Sequence, residues 1–207
     1  EISVGYRGVA SANTGSTATS TLTVAAPAGL VVGDVLVAAV TIAASNVTIA
    51  VPSGWTRLGT DVVATSTPLT QGIFWRPVAS GTTASSVTFT FSGAVKGSAV
   101  VMGVGGASTA LPAASQYASN VNASVAPQIY TPGLTLSGSV RGIALIFGGM
   151  ATGTGLTSVG TGYTSPAGAV TASSGGKAST QTTTAASPIG VKRGVIVSAP
   201  VPSAAIS

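Results

Sequence analysis

The chain has 207 residues, and its composition excludes most catalytic chemistry before any motif is considered. It contains no His and no Cys, and its only acidic side chains are Glu1, Asp34 and Asp61. General acid–base catalysis relies on His, Asp or Glu in defined pairs, and metal sites rely on His, Cys or clustered carboxylates. We therefore predict that the protein is not an enzyme and binds neither a metal ion nor a cofactor.

The low content of charged residues predicts a surface suited to assembly. Charged residues make up 5% of the chain, against about 25% in a typical soluble protein, so Ser, Thr, Gly and Ala must cover the surface. Such a surface is weakly hydrated and tolerates close packing against a neighbour. The chain has no Cys for disulfides, so its stability must come from a large core or from association.

Neither nucleic acid nor a membrane is a predicted partner. The Lys and Arg residues give a net charge of +5 but are scattered along the chain, whereas nucleic-acid-binding proteins present a basic stripe with interleaved aromatic residues. The most apolar stretch, from Leu30 to Val51, is interrupted by Asp34, Ser45 and Asn46. A membrane-spanning helix needs about 20 continuous apolar residues, so this stretch predicts two β-strands instead.

Short runs of Val, Ile and Thr, interrupted by Gly, Pro, Ser and Asn, predict an all-β fold. Ile2 to Ala10 is the first predicted strand, and the continuous apolar run from Asp34 to Ala43 is typical of a strand buried on both faces. Ser86 to Phe91 alternates strictly, with Val and Phe on one face and Ser and Thr on the other. Ser98 to Gly105 predicts another apolar strand before the chain becomes polar.

The second half of the chain repeats this plan loosely. A connector rich in Ser, Ala and Asn, residues 107–127, separates a first β-module, residues 1–106, from a second one, residues 128–207. Each half contains a Pro-Gly turn, a core strand and a turn that ends in an aromatic residue. The apolar runs of the second half are Val140 to Gly148 and Gly190 to Val201. We expect two pseudo-repeated halves that share one core, as in a two-sheet sandwich or jelly roll.

Between those two apolar runs, the segment from Ala172 to Ser187 has low sequence complexity. Its Gly, Ser and Lys residues fit a flexible loop, whereas its Thr residues fit an edge strand. Both interpretations stay open at the level of the sequence.

Four segments of the chain carry a recognisable pattern: APAGLVVGDVLVAAVTI, VPSGWTRL, GIFWRPVASGTTASSVTFTFSG and GSAVVMGVGG. The pattern resembles a widespread family of β-rich proteins that occur as phage tail, fibre and minor virion components and as secreted bacterial surface proteins. Residues 20–106 match it well, and residues 128–201 match its second half loosely, with Ser139 where the first half has Asp34. The resemblance implies a β-rich architecture and a virion or cell-surface setting, without a catalytic motif.

We therefore expect a non-enzymatic structural subunit of a phage virion, in the tail, in a fibre or as capsid decoration. It would assemble with copies of itself and with other virion proteins, through β-strand edges and flat surfaces of Ser, Thr, Ala and Gly. One alternative is a subunit of a secreted filament or adhesin on a bacterial or archaeal surface. Another is a carbohydrate-binding module for a host-surface polysaccharide. The expected location is the virion, or else the cell surface or extracellular space.

The candidate assembly element is the first strand, with Ile2, Val4, Tyr6 and Val9 as its apolar positions. It precedes a spacer of Ser, Thr, Gly and Ala, residues 11–20, that would let the strand pair with the sheet edge of a neighbouring subunit. The alternative is an ordinary first strand that belongs to the chain's own sheet.

Four further residues are candidate contact or modification sites. Trp55 and Tyr117 are candidate exposed aromatic contacts, because Trp55 follows a turn and Tyr117 lies in the polar connector. For each of them, packing in the core is the alternative. Asn46 and Asn122 begin the sequences Asn-Val-Thr and Asn-Ala-Ser, which fit the N-glycosylation pattern. That pattern is short, so it applies only in a host that glycosylates extracellular proteins.

Overall fold

A computed structural model describes residues 4–65, 68–80, 86–122, 142–150, 170–173, 176–179 and 190–198. This part of the chain contains β-strands and one short 3₁₀ helix, Ala114–Gln116. The strands are β1 (Gly5–Asn13), β2 (Thr19–Ala25), β3 (Val35–Ile42), β4 (Thr56–Arg57), β5 (Val62–Ala64), β6 (Leu69–Pro77), β7 (Ser86–Val95), β8 (Gly97–Gly105), β9 (Tyr117–Asn122), β10 (Gly142–Met150), β11 (Val170–Ser173), β12 (Gly176–Ser179) and β13 (Gly190–Ser198). The prediction of an all-β fold is confirmed.

The strands form three antiparallel sheets. The central sheet has the order β1-β8-β3-β6-β4, and β5 also pairs with β6. The second sheet consists of β2 and β7, and Ile49 adds one antiparallel bridge to Phe91 of β7. The third sheet has the order β11-β12-β10-β13-β9 and contains the strands that follow the central sheet in the sequence.

The central sheet carries apolar side chains on both faces, because a layer covers each of them. Every residue of β3 and of β8 is buried. The first core, between the central sheet and the β2–β7 sheet, contains Leu36 and Phe89. The second core, between the central sheet and β10, contains Trp75 and Phe147. The predicted burial of the apolar run at residues 34–43 on both faces is therefore confirmed for β3.

Strand β7 covers the first core with one face only. Its buried residues alternate with exposed Ser and Thr residues, as the sequence pattern predicts. The exposed face continues across to β2, where Thr23 pairs with Thr88. Their hydroxyl oxygens lie 2.8 Å apart and share a hydrogen bond, so this outer face of the sheet presents hydroxyl groups instead of charges.

The second half of the chain supplies the third layer. Strands β10 and β13 occupy the two predicted apolar runs, and they pair along their whole length. The predicted connector contains β9, which pairs with β13. The low-complexity segment contributes β12, and β11 overlaps its beginning, so a strand is present in the described part of it. The division into two pseudo-repeated modules stays a prediction.

Gly149→Ala tests the packing of β10 on the central sheet. A Cβ at this position would lie 2.7 Å from Oγ1 of Thr41 and 2.9 Å from Nε2 of Gln71, two buried side chains that share a hydrogen bond of 3.0 Å. We expect this overpacking to lower the free energy of unfolding by roughly 1–3 kcal/mol in urea denaturation. Gly5→Ala is the matched control, because no atom lies within 4 Å of a Cβ there. Equal effects of the two variants would contradict the close approach of these layers.

Candidate functional site

Two of the large apolar side chains that are more than half exposed in the described part of the chain lie in the turn that leads into β3. Val31 is 52% exposed and Val32 is 65% exposed, and both are in the loop between β2 and β3. We call these two residues the apolar tip. Isolated exposed valines are common on proteins. The tip is notable only if other interactions of the chain hold it in place.

A buried carboxylate fixes the base of this turn. Asp34 is 2% exposed, and its Oδ2 accepts a hydrogen bond of 2.9 Å from the backbone N–H of Val31. Its Oδ1 accepts from Nε of Arg7 in β1 at 3.3 Å. The backbone N–H of Asp34 also donates to the carbonyl of Val31, at 3.1 Å. The carboxylate therefore closes the turn and ties it to the edge strand, which compensates for its removal from water.

Two backbone hydrogen bonds and one apolar contact also hold the turn on the central sheet. The N–H of Gly33, which has a φ of +91°, donates to the carbonyl of Val78 at 2.9 Å, and the N–H of Val78 donates to the carbonyl of Asp34 at 2.8 Å. On the apolar side, Leu30 lies over Gly103, where an added Cβ would come within 2.5 Å of its Cδ2. Gly103 therefore leaves the space that Leu30 fills.

The other described acid is also engaged by an arginine. Asp61 forms an ion pair with Arg57. The guanidinium of Arg57 also lies 5.0 Å from the ring centroid of Phe74, and it donates a hydrogen bond to the carbonyl of Ile49. Both carboxylates in the described part of the chain therefore serve to hold loops on the central sheet. Neither is arranged as one of a pair of carboxylates for acid–base chemistry.

The predicted assembly strand belongs to the chain's own central sheet. Strand β1 pairs with β8 of the same chain from Gly5 to Asn13, and it forms one edge of the sheet. Val4 and Val9 are partly buried against the second core, whereas Tyr6 is exposed, and desolvation raises the pKa of its hydroxyl above the usual range. Ile2 lies outside the described residues. Donation of this strand to a neighbour stays a prediction.

The prediction of an exposed aromatic contact at Trp55 is wrong. The side chain is 7% exposed and packs edge-on against Phe89 in the first core, with 6.2 Å between the ring centroids. A turn in which the N–H of Trp55 donates to the carbonyl of Pro52 directs the chain back to the core. Tyr117 is partly buried against the second core. Trp55 therefore cannot serve as a stacking platform for a sugar ring, and a carbohydrate-binding module stays a prediction.

The two candidate glycosylation sites differ in position. Asn46 is exposed in the loop after β3, and Thr48 of the same sequence motif is also exposed. Asn122 is the last residue of β9. Modification of either residue stays a prediction.

Comparison of the chain with protein-family models, with curated proteins and with solved structures finds no significant match. The described residues include no helix that is long and apolar enough to cross a membrane. They also include no group of three His, Cys, Asp or Glu side chains that could hold a metal ion. The absence of enzymatic activity stays a prediction.

The variants Asp34→Ala and Asp34→Asn distinguish the hydrogen bond from Val31 N–H from the ion pair with Arg7. Asn keeps an oxygen that can accept from Val31 N–H, and an ion pair with an exposed arginine is worth only about 0–1 kcal/mol. Loss of the turn acceptor leaves a backbone donor unpaired, which costs about 1–3 kcal/mol. We expect Asp34→Ala to lower unfolding free energy by the larger amount and to speed hydrogen exchange at Val31 N–H. Equal losses in the two variants would assign the effect to charge instead.

Proposed function

We propose that this protein is a non-enzymatic structural subunit of a phage virion, in the tail, in a fibre or as capsid decoration. The observation that carries the proposal is the apolar tip, because two exposed valines stand on a turn fixed by a buried carboxylate. Keeping apolar side chains in water does not stabilise an isolated subunit. They contribute favourably when another copy or another virion protein covers them. The virion setting itself rests on the resemblance carried by residues 20–106.

Two strand edges support an assembly role. β1 ends the central sheet and β2 ends the second sheet, and no other described strand pairs along their outer edges. Natural proteins protect such edges with charged side chains, Pro or bulges. Arg7 is the charged residue of β1 and β2 and lies at a bulge in β1. It forms an ion pair with Asp34. Among the described residues, no strand pairs with the rest of either edge, which supports pairing with a strand of another subunit.

The hydroxyl face of the β2–β7 sheet supports contacts between copies. Thr21 lies opposite Thr90, and Thr23 lies opposite Thr88, with all four side chains exposed. Each hydroxyl can donate and accept a hydrogen bond. Such a face can meet its own copy across a two-fold axis without repulsion between like charges.

We also propose that the first half of the chain is a jelly roll. Its support is the strand order, in which β1-β8-β3-β6 faces β2-β7 and residues 48–50 lie beside β7. Successive strands thus alternate between facing sheets, as expected for interlocked Greek keys. β4 and β5 depart from that arrangement by pairing with β6. Jelly rolls are a common architecture of viral capsid proteins, which favours the virion setting.

The second candidate is a subunit of a secreted filament or adhesin, together with other surface-assembly proteins. The observation in its favour is the outer edge of β1, which pairs with no other described strand, because pairing along one edge in a head-to-tail manner can continue without closing. Negative-stain imaging with a measured particle mass separates the two. Closed rings, trimers or capsid-bound copies support the virion subunit, whereas filaments of unlimited length support the appendage.

The double variant Val31→Ser/Val32→Ser tests the role of the apolar tip. Burial of two valines at a contact is worth about 2–3 kcal/mol, so we expect association to weaken roughly 30- to 150-fold in sedimentation velocity. The unfolding midpoint should not change, because both side chains are exposed. Val63→Ser is the matched control, because Val63 in β5 is 42% exposed and lies away from the apolar tip. Val63 pairs with Thr70 of β6, and Thr70 pairs with Ile42, at the end of β3 opposite to the tip. Unchanged association of the double variant would exclude the tip as a contact.

A further inference from the structure

Strands β1 and β2 lie together on one side of the first sandwich. β1 ends the central sheet and β2 ends the second sheet, and the two strands contact each other. Ala10 of β1 packs against the core that contains Leu22 of β2. On the opposite side, Arg57 of β4 donates to the carbonyl of Ile49, which lies beside β7. We call the side with β1 and β2 the double edge, because both sheets end there among the described strands.

The outer edge of β1 presents backbone groups that no described strand uses. The N–H of Thr14 donates to the carbonyl of Gly97 at 3.0 Å, in the register that continues along β1 and β8. Backbone groups of successive residues in an antiparallel strand point to alternate sides. The groups of Ala10 therefore face β8, whereas those of Val9 and Ser11 face away from it.

The outer edge of β2 has the same pattern. On the neighbouring strand β7, the carbonyl of Thr90 accepts from the N–H of Ala50 at 2.8 Å, so it faces away from β2. Thr21 lies opposite Thr90 in the register, and its backbone groups therefore face outward as well. By alternation, the groups of Leu22 face β7 and those of Thr23 face outward.

Both outward rows lack the features that usually protect edge strands, which are charges, Pro and bulges. The register shifts of the two strands lie before Gly8 and before Thr21. Residues 8–13 and 21–25 contain neither a charged residue nor Pro. The hydroxyl of Thr19 donates to the carbonyl of Thr21 at 2.6 Å, but a carbonyl oxygen has a second lone pair for a neighbour.

The two outward rows are level with each other along the sandwich. A row of paired residues leads from Ala10 across β8 and β3 to Phe74 of β6. The ring centroids of Phe74 and Phe89 are 5.3 Å apart, and Phe89 pairs with Leu22. Ala10 and Leu22 therefore lie at the same level, each in the middle of its outward row.

We infer that a second copy of this chain binds the double edge across a two-fold axis perpendicular to both sheets, so that each sheet continues from one copy into the other. An axis at the level of Ala10 places Val9 opposite Ser11 of the other copy, with the backbone groups of both residues facing each other. The same axis places Thr21 opposite Thr23 of the other copy in the second sheet. This dimer rests on the proposed assembly function and gives it a partner and a symmetry.

The opposite side of the sandwich does not match the double edge, which favours a two-fold contact over head-to-tail stacking. Strand β4 has two residues, and its Arg57 forms an ion pair with Asp61. Head-to-tail stacking would bring this ion pair against an uncharged edge. In the two-fold contact the same patch meets itself, and Ala10, which is partly buried against the first core, meets its own copy. Arg7 keeps its partner Asp34.

Single cysteines in β1 test this dimer, because the native chain contains no Cys. In Ala10→Cys the two introduced residues face each other across the axis with Cα atoms about 4.5 Å apart, a distance that a disulfide spans. Ala12→Cys is the matched control, since Ala12 packs against the same core but would lie about 14 Å from its copy. Under mild oxidation we expect a covalent dimer of Ala10→Cys and none of Ala12→Cys in non-reducing gel electrophoresis.

Ser11→Pro and Thr23→Pro test the two ladders separately. An edge strand tolerates Pro where the N–H faces outward, but Pro removes the donor that a neighbour needs. We expect each variant to weaken dimerisation at least about tenfold in sedimentation velocity, with near-UV circular dichroism as the check of folding. Ser11→Thr keeps the N–H and should associate as the parent does. Where a Pro variant does not fold, the two cysteine variants decide the question.

Three results would overturn the dimer. They are a parent protein that sediments as a monomer at every concentration, equal cross-linking of the two cysteine variants, and unchanged association of folded Ser11→Pro. Each of them leaves assembly with other virion proteins intact, so the dimer and the proposed function can fail separately. Ala10→Cys should also cross-link in the Val31→Ser/Val32→Ser background, because the apolar tip lies outside both outward rows. Loss of cross-linking there would likewise reject the double edge as the contact.

Discussion

The central sheet depends on being covered from both sides, and the remaining architecture follows from that requirement. Strands β3 and β8 bury every residue, so neither face of this sheet can meet water without a large loss of hydrophobic stabilisation. The β2–β7 sheet covers one face, and the strands of the second half cover the other. This arrangement also explains how a chain with 5% charged residues folds. Its apolar content is used in two cores, and hydroxyl groups cover the outer face of the β2–β7 sheet.

The few charges of the chain hold loops in place. Asp34 is buried, yet it is connected to a backbone N–H and to Arg7, so its burial does not leave an unpaired charge. Asp61 engages Arg57, which also lies over the ring of Phe74. Each of these two acids anchors a turn at the central sheet. Arg76 differs, because no carboxylate among the described residues forms an ion pair with it.

Periodicity predicted much of the fold, because it reports burial directly. The continuous apolar run after Asp34 and the strict alternation from Ser86 to Phe91 both correspond to strands with the expected faces. Periodicity does not count layers, since a strand buried on both faces does not identify what covers it. At Trp55 a preceding turn suggested exposure, and that prediction was wrong. The apolar tip was missed because exposure of two valines depends on the distant residues Arg7 and Gly103, which contact that turn only in the folded chain.

The order of strands along the chain has a consequence for synthesis on the ribosome. The central sheet is complete once Gly105 has emerged, but the strand that covers its second face ends only at Met150. At about 5–20 residues per second, translation leaves this face uncovered for a few seconds. During that interval the nascent chain presents Val37, Trp75 and Met102 together. Such a surface is a target for a chaperone, and crowding of nascent chains on one messenger would favour premature pairing between them.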